Sequence, residues 1–223
     1  MQRTEKTKLN RSKTRRSSST RWLQRQLNDP FVQEARRAGY RARSAFKLEE
    51  IDRRFELIRQ GAAIVDLGAA PGSWSQYAAR KAARVVALDL LPIEPIPGVD
   101  LLQGDFLDID VQAELLRRLD GKIDTVLSDI APDATGRRVV DRLRAEAIGE
   151  AVVDFANQVL AAEGQLLVKL VKGAEAAVME LARPHFSKLR LLRPKATRSD
   201  SSEAFLFATG FKMSRDADSG LPG

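Results

Sequence analysis

Lys169, inside one apolar run, and Asp129, at the end of another, are the first candidates for chemistry. Lys169 interrupts Gln165-Leu166-Leu167-Val168-Lys169-Leu170-Val171, and Asp129 closes Ile123-Asp124-Thr125-Val126-Leu127-Ser128-Asp129. Both runs read as buried strands. An ammonium is costly to bury alone. Either Lys169 snorkels its head to water, or it pairs with Asp129 on a neighbouring strand. A fixed ammonium orients a hydroxyl and favours alkoxide character on it. With a lowered pKa, the same amine accepts a proton. Spacing leaves both roles open.

A second signal is the turn after Ile64-Val65-Asp66-Leu67. The chain breaks at Gly68, Pro71 and Gly72, and Trp74, Tyr77, Ala78 and Lys81 then recur at helical spacing. Proline cannot donate to a sheet ladder, so the strand ends here. Strand, tight turn and helix place backbone N–H groups at the carboxyl end of a strand, where open α/β sheets bind nucleotide-like ligands. A turn with no ligand is the plainer reading. Asp89 follows a second apolar run at the spacing that suits hydrogen bonds to ribose hydroxyls. Asp105 ends a third run and either accepts from an adenine amino group or is a solvated turn residue. The spacing is neither Gly-x-Gly-x-x-Gly nor that of a P-loop. A dinucleotide-dependent oxidoreductase is therefore disfavoured.

Asp66-Leu67-Gly68-Ala69-Ala70-Pro71-Gly72-Ser73-Trp74-Ser75-Gln76 resembles the S-adenosylmethionine (SAM) motif of FtsJ-like RNA 2′-O-methyltransferases. Phe46-Lys47-Leu48, Ser128-Asp129-Ile130-Ala131-Pro132, Val168-Lys169 and Ser201-Ser202-Glu203 match further motifs of that family, over about residues 20–212. The resemblance implies a catalytic Lys-Asp-Lys-Glu set, Lys47, Asp129, Lys169 and Glu203. It also implies a SAM site built from Gly68, Gly72, Trp74, Asp89, Asp105 and Asp129. The acceptor it implies is a ribose, a uridine first, in 23S RNA of the large ribosomal subunit. A methyl group on a sulfonium is already activated, so no metal is expected. Two lysines and two carboxylates are neutral together, which limits the cost of clustering them. Three positions depart from the pattern: Ser73 where Gly is common, Asp133 where Asn is usual, and Val171-Lys172-Gly173 in place of aromatic-Gln-Gly.

The elements that must position these residues alternate along the chain. Apolar runs at 62–67, 85–88, 99–106, 123–129, 165–171, 188–192 and 204–209 read as strands. Helical patterns lie between them, including a long one over 137–160 ended by Gly164. The expected fold is α/β: a Rossmann-like, doubly wound, mostly parallel seven-stranded sheet with a terminal antiparallel strand. The last two strands are expected to form a hairpin.

Charge divides the chain. Residues 1–47 hold 14 Lys/Arg against 3 Asp/Glu, and the remainder holds 23 against 27, within a net charge of +7. That block is the footprint of a polyanion binder, nucleic acid first and an anionic membrane second, with a solubilising tail as the plain alternative. Residues 1–20 are too polar to offset ordering entropy and are expected to be disordered; a transit peptide is a minor reading. Residues 21–60 are expected to be a helical RNA-binding segment of a domain spanning 21–212, followed by a flexible tail over 213–223. Arg36, Arg37, Arg41 and Arg43 around Tyr40 suit phosphate contacts and base stacking. No cysteine is present and His185 is the one histidine, so there is no thiolate metal site and His185 receives no role. No apolar run reaches 18 residues, which excludes a spanning helix. A cytoplasmic monomer is expected. Competing functions are the same reaction on transfer RNA or a messenger cap, and a non-catalytic RNA-binding ribosome assembly factor.

Overall fold

The computed structural model describes residues 29–198, 201 and 203–213. The expected arm at 1–20, the apolar residues Trp22, Leu23 and Leu27, and the tail from 214 onward lie outside the described residues. Two helices, α1 (Pro30–Arg37) and α2 (Ala45–Phe55), precede the sheet. There follow β1 (Ala63–Leu67), α3 (Ser73–Ala78), β2 (Arg84–Asp89), β3 (Val99–Gln103), α4 (Ile109–Leu119) and β4 (Ile123–Ser128). The chain closes with α5 (Arg138–Val159), β5 (Leu160–Leu170), α6 (Glu175–Ala182), β6 (Phe186–Leu192) and β7 (Ala204–Phe211).

The seven strands run in the order β3-β2-β1-β4-β5-β7-β6. Every pairing from β3 to β5 is parallel, whereas β7 is antiparallel to both β5 and β6. The expected hairpin of β6 and β7 forms, and β7 inserts between β5 and β6. Helices cover both faces. Val65, Leu67, Val86, Leu88, Val126 and Val168 pack with Leu115, Val152 and Phe155 on one side. Ile64, Val85, Leu127, Leu167 and Phe205 pack with Leu48, Ile51, Trp74 and Tyr77 on the other. Strand order reverses between β1 and β4, so a crevice opens at their carboxyl ends.

Gly164 does not end the long helix. Helix α5 stops at Val159 and β5 begins at once with Leu160. Pairing with β4 then slips between Ile123 and Thr125, next to Glu163 at φ 62°. The polar Glu163-Gly164 pair that looks like a helix stop is a bulge inside the strand. The third strand also ends earlier than its apolar run, at Gln103, which leaves Asp105 in the following turn. Among the described residues, no helix is long and apolar enough to cross a membrane.

Candidate active site

Strand geometry brings four charged side chains to one edge of the sheet. Asp129 follows the last residue of β4, and its N–H donates to Leu67 O at 2.9 Å, tying the end of β4 to β1. Lys169 lies one residue from the end of β5, with Nζ 3.0 Å from Asp129 Oδ1. Lys169 also donates to the main-chain carbonyl of Asp129. Lys47, on the first turn of α2, pairs with Glu203, which precedes β7. Phe205 links the two pairs. Phe205 is the β7 residue opposite Lys169, and Lys47 Nζ sits 5.6 Å from the Phe205 ring centroid. Partners that face each other in an antiparallel pair share a sheet face. Lys169, Phe205 and Lys47 therefore lie together on the side covered by α2.

Beside this set, a cleft of about 420 Å³ opens along the ends of β1, β2, β3 and β4. Gly68, Asp89, Asp105, Asp129 and Asp133 line it, with Leu90, Leu91, Phe106, Leu107, Ile130 and Ile148 as the apolar wall. Its size is that of a small-molecule site. Leu90, Leu91 and Leu107 are 64%, 62% and 56% exposed, so the rim presents apolar surface that a flat apolar group would cover. Gly68, at φ +73°, is required there. A Cβ would come within 2.7 Å of Ile130 N. Asp89 is set by its own turn: Oδ2 accepts from Ala70 N and Oδ1 from Leu91 N, each at 2.8 Å. Asp105 Oδ1 accepts from Leu107 N at 2.9 Å, an aspartate turn that aims the loop.

Asp66 is a residue that the sequence reading passed over. It is fully buried beneath this edge. The Ser75 hydroxyl donates to its Oδ2 at 2.6 Å, and Oδ1 has no hydrogen-bond partner. Burial pushes the carboxyl up to about 7; the Ser75 bond opposes the rise, and the charges of Asp129 and Asp89 add to it. The available signal was the one that marked Lys169, a charged residue inside an apolar run.

Gly72 and Trp74 do not line the cleft. Gly72 precedes α3 at φ +100°, and a Cβ there would meet Ile96 Cδ1 at 2.5 Å. Trp74 is buried behind the turn; its Nε1 donates to Ser44 O at 2.8 Å, and its ring lies 5.8 Å from that of Phe205. Ser73 is accommodated by a partner, since its hydroxyl and that of Ser44 are 2.7 Å apart. Ser44 makes no side-chain cap to α2.

The expected phosphate grip around Tyr40 is overturned in part. Tyr40 is buried, its hydroxyl accepts from Arg80 Nη1 at 2.6 Å, and the Arg80 guanidinium covers its ring at 4.4 Å. No face is left for a base. Arg43 bonds Asp29 and Ala196 O, and Arg41 is committed to three main-chain carbonyls. Arg36 and Arg37 are exposed.

The family model for FtsJ-like methyltransferases matches residues 40–211. A protein of Xanthobacter autotrophicus named ribosomal RNA large subunit methyltransferase E is 46% identical over 95% of this chain and 86% of its own length. One of the same name from Gluconobacter oxydans is 44% identical over 93% of this chain and 78% of its own. A crystal structure of a Plasmodium falciparum protein, provisionally assigned as a ribosomal RNA methyltransferase, superposes with a TM-score of 0.69 at 26% identity. It covers 79% of this chain and all of that one. With a seven-stranded sheet in this order, a cleft at its switch point and a family match over most of its length, the chain belongs to the FtsJ-like methyltransferase family.

Proposed function

We propose that this enzyme transfers the methyl group of SAM to the 2′-oxygen of a ribose, a uridine first, in 23S RNA of the large ribosomal subunit. The observation that carries the reading is the convergence of Lys47, Asp129, Lys169 and Glu203 beside an acidic cleft. The cleft's donor set fits the cofactor. Asp89 offers carboxylate lone pairs to ribose hydroxyls, Leu90, Leu91 and Leu107 give an adenine an apolar bed, and Asp129 supplies negative charge for a sulfonium and an ammonium. Gly68 keeps this floor open. When bound, the cofactor supplies a methyl group on a positive sulfur.

The remaining work falls to the protein. An ammonium has three N–H donors. Lys169 spends one on the main-chain carbonyl of Asp129 and stands 3.0 Å from its carboxylate as an ion pair, leaving donor capacity for a ribose oxygen. The ion pair with Asp129 is the observation that supports an orienting, charge-stabilising role for Lys169. The Lys47–Glu203 pair, beside Phe205 on the same sheet face, supports a role in holding the ribose.

The test is methyl transfer from labelled SAM to unmodified large subunits, naked ribosomal RNA and transfer RNA. Label on a 2′-oxygen of large-subunit RNA is expected. Label on transfer RNA alone would keep the chemistry and discard the acceptor. Binding of SAM and RNA without turnover would favour an assembly factor.

A further inference from the structure

Arg41 joins three loops. Its Nη1 donates to Pro71 O at 2.9 Å and to Glu94 O at 2.8 Å, and its Nη2 donates to Pro95 O at 2.9 Å. Its own N–H donates to Gln76 Oε1 at 3.0 Å, and Gln76 Nε2 returns a bond of 3.3 Å to Gly39 O. Pro71 belongs to the turn after β1; Glu94 and Pro95 belong to the loop after β2. That second loop starts from Leu90 and Leu91, which form the cleft rim, and sends Ile93 and Ile96 against Gly72. A Cβ on Gly72 would stand 3.0 Å from Arg41 Nη1. One half-buried guanidinium thus replaces water on three loop carbonyls, and the planar fork reaches both loops at once.

We infer that Arg41 is a positioning residue for the methyl donor: its guanidinium clamps the Pro71 turn to the 90–97 loop and so sets the rim of the cofactor cleft. It acts through those two loops and does not line the cleft. The clamp comes from the segment that leads into α2 and Lys47, and that segment is also joined to the turn by Ser44–Ser73 and Trp74–Ser44. The inference rests on the SAM reading of the cleft. A lysine is a point charge with a different reach, so Arg41→Lys keeps the charge and loses the simultaneous contacts.

The experiment is calorimetric binding of S-adenosylhomocysteine to the wild type, Arg41→Lys, Arg41→Ala and Arg36→Ala, with hydrogen exchange over residues 90–97. Both Arg41 variants are expected to lose about tenfold or more in affinity and to exchange faster over 90–97. The KM for SAM should rise in parallel while kcat at saturating SAM is kept. Arg36→Ala should match the wild type in cofactor affinity and in exchange over 90–97. Unchanged affinity and exchange in a folded Arg41→Lys would overturn the clamp. Equal loss of RNA affinity in the Arg36 and Arg41 variants, with cofactor affinity intact, would overturn it in favour of a phosphate contact. A wild type that binds neither SAM nor its product would overturn the cofactor reading, and the clamp with it.

Discussion

Replacing Lys169 with methionine separates the catalytic work of the Lys169–Asp129 pair from its structural work. The two side chains are 11% and 23% exposed. Breaking a fully buried pair costs about 3–5 kcal/mol, because a charge is left behind without compensation. Partial exposure of Asp129 lowers this to about 2 kcal/mol, or roughly 4–8 °C in Tm for a domain of this size. Loss of a positioned charge that stabilises a developing oxyanion costs about 10²–10³ in rate. Lys169 is absent from the cleft lining, so cofactor affinity should stay within about threefold, as a residue outside the contact set should allow. Adding Asp129→Asn to Lys169→Met should recover much of the stability and none of the rate, since the orphaned charge is gone and the ammonium is still missing. The assays are labelled methyl incorporation into large-subunit RNA and thermal unfolding of the two single variants and the double variant. A Lys169→Met enzyme within about threefold of the wild-type rate would refute the catalytic role. A double variant no more stable than Lys169→Met would refute the pair.

Other outcomes follow from the same geometry. Asp66 has a folded pKa of about 7, above its ordinary value. The folded state therefore holds the proton longer than the unfolded one, and stability contributed by this group falls as pH rises from about 4 to 7, by up to about 1.4 kcal/mol per unit. Asp66→Asn should gain on the wild type across that window in denaturant titrations; a flat difference would refute the burial argument. Gly68→Ala should destabilise by about 2 kcal/mol or more through its positive φ and the 2.7 Å approach to Ile130 N, read by thermal unfolding; an unchanged Tm would sink it. Deleting residues 1–20, which carry seven Lys/Arg and one Glu, should weaken RNA binding and make its salt dependence shallower. An unchanged slope would make the arm a solubiliser.

The sheet and the Lys169–Asp129 pair were legible in the sequence through local signals, whereas Lys47 and Glu203 entered only through the family resemblance. Apolar runs bounded by Gly and Pro mark the parallel strands, and a lysine in such a run marks a partner nearby. What the sequence hid depends on long-range pairing. Arg41 and Arg43 stand in a basic cluster that resembles a phosphate grip. Their actual acceptors, Pro71, Glu94, Pro95 and Ala196, lie 30 to 153 residues away. Nothing local separates an arginine that faces RNA from one that saturates loop carbonyls. Tyr40 shows the same limit, since the Arg80 that covers it arrives on another segment. Gly164 misled for the opposite reason. A polar Glu-Gly step after a helical pattern is a common stop, and only pairing with β4 shows that the strand has already begun.

The antiparallel insertion of β7 explains how a residue near the end of the chain reaches the site at all. In a parallel sheet every strand leaves the catalytic edge by its carboxyl end, so residues that precede a strand lie at the opposite edge. Strand β7 reverses this. Its first residue, Ala204, pairs with Leu170 at the end of β5, and Phe205 pairs with Lys169. Glu203, one residue earlier, is thereby delivered to the carboxyl edge, where Lys47 on α2 meets it. Two carboxylates and two ammoniums then balance at that edge, where Phe205 faces Lys169 across the ladder and Lys47 sits over its ring. If β7 ran parallel, Glu203 would stand across the sheet from Lys47, and that lysine would lose its carboxylate. The reversed strand thus places one of the four charges that the proposed reaction uses.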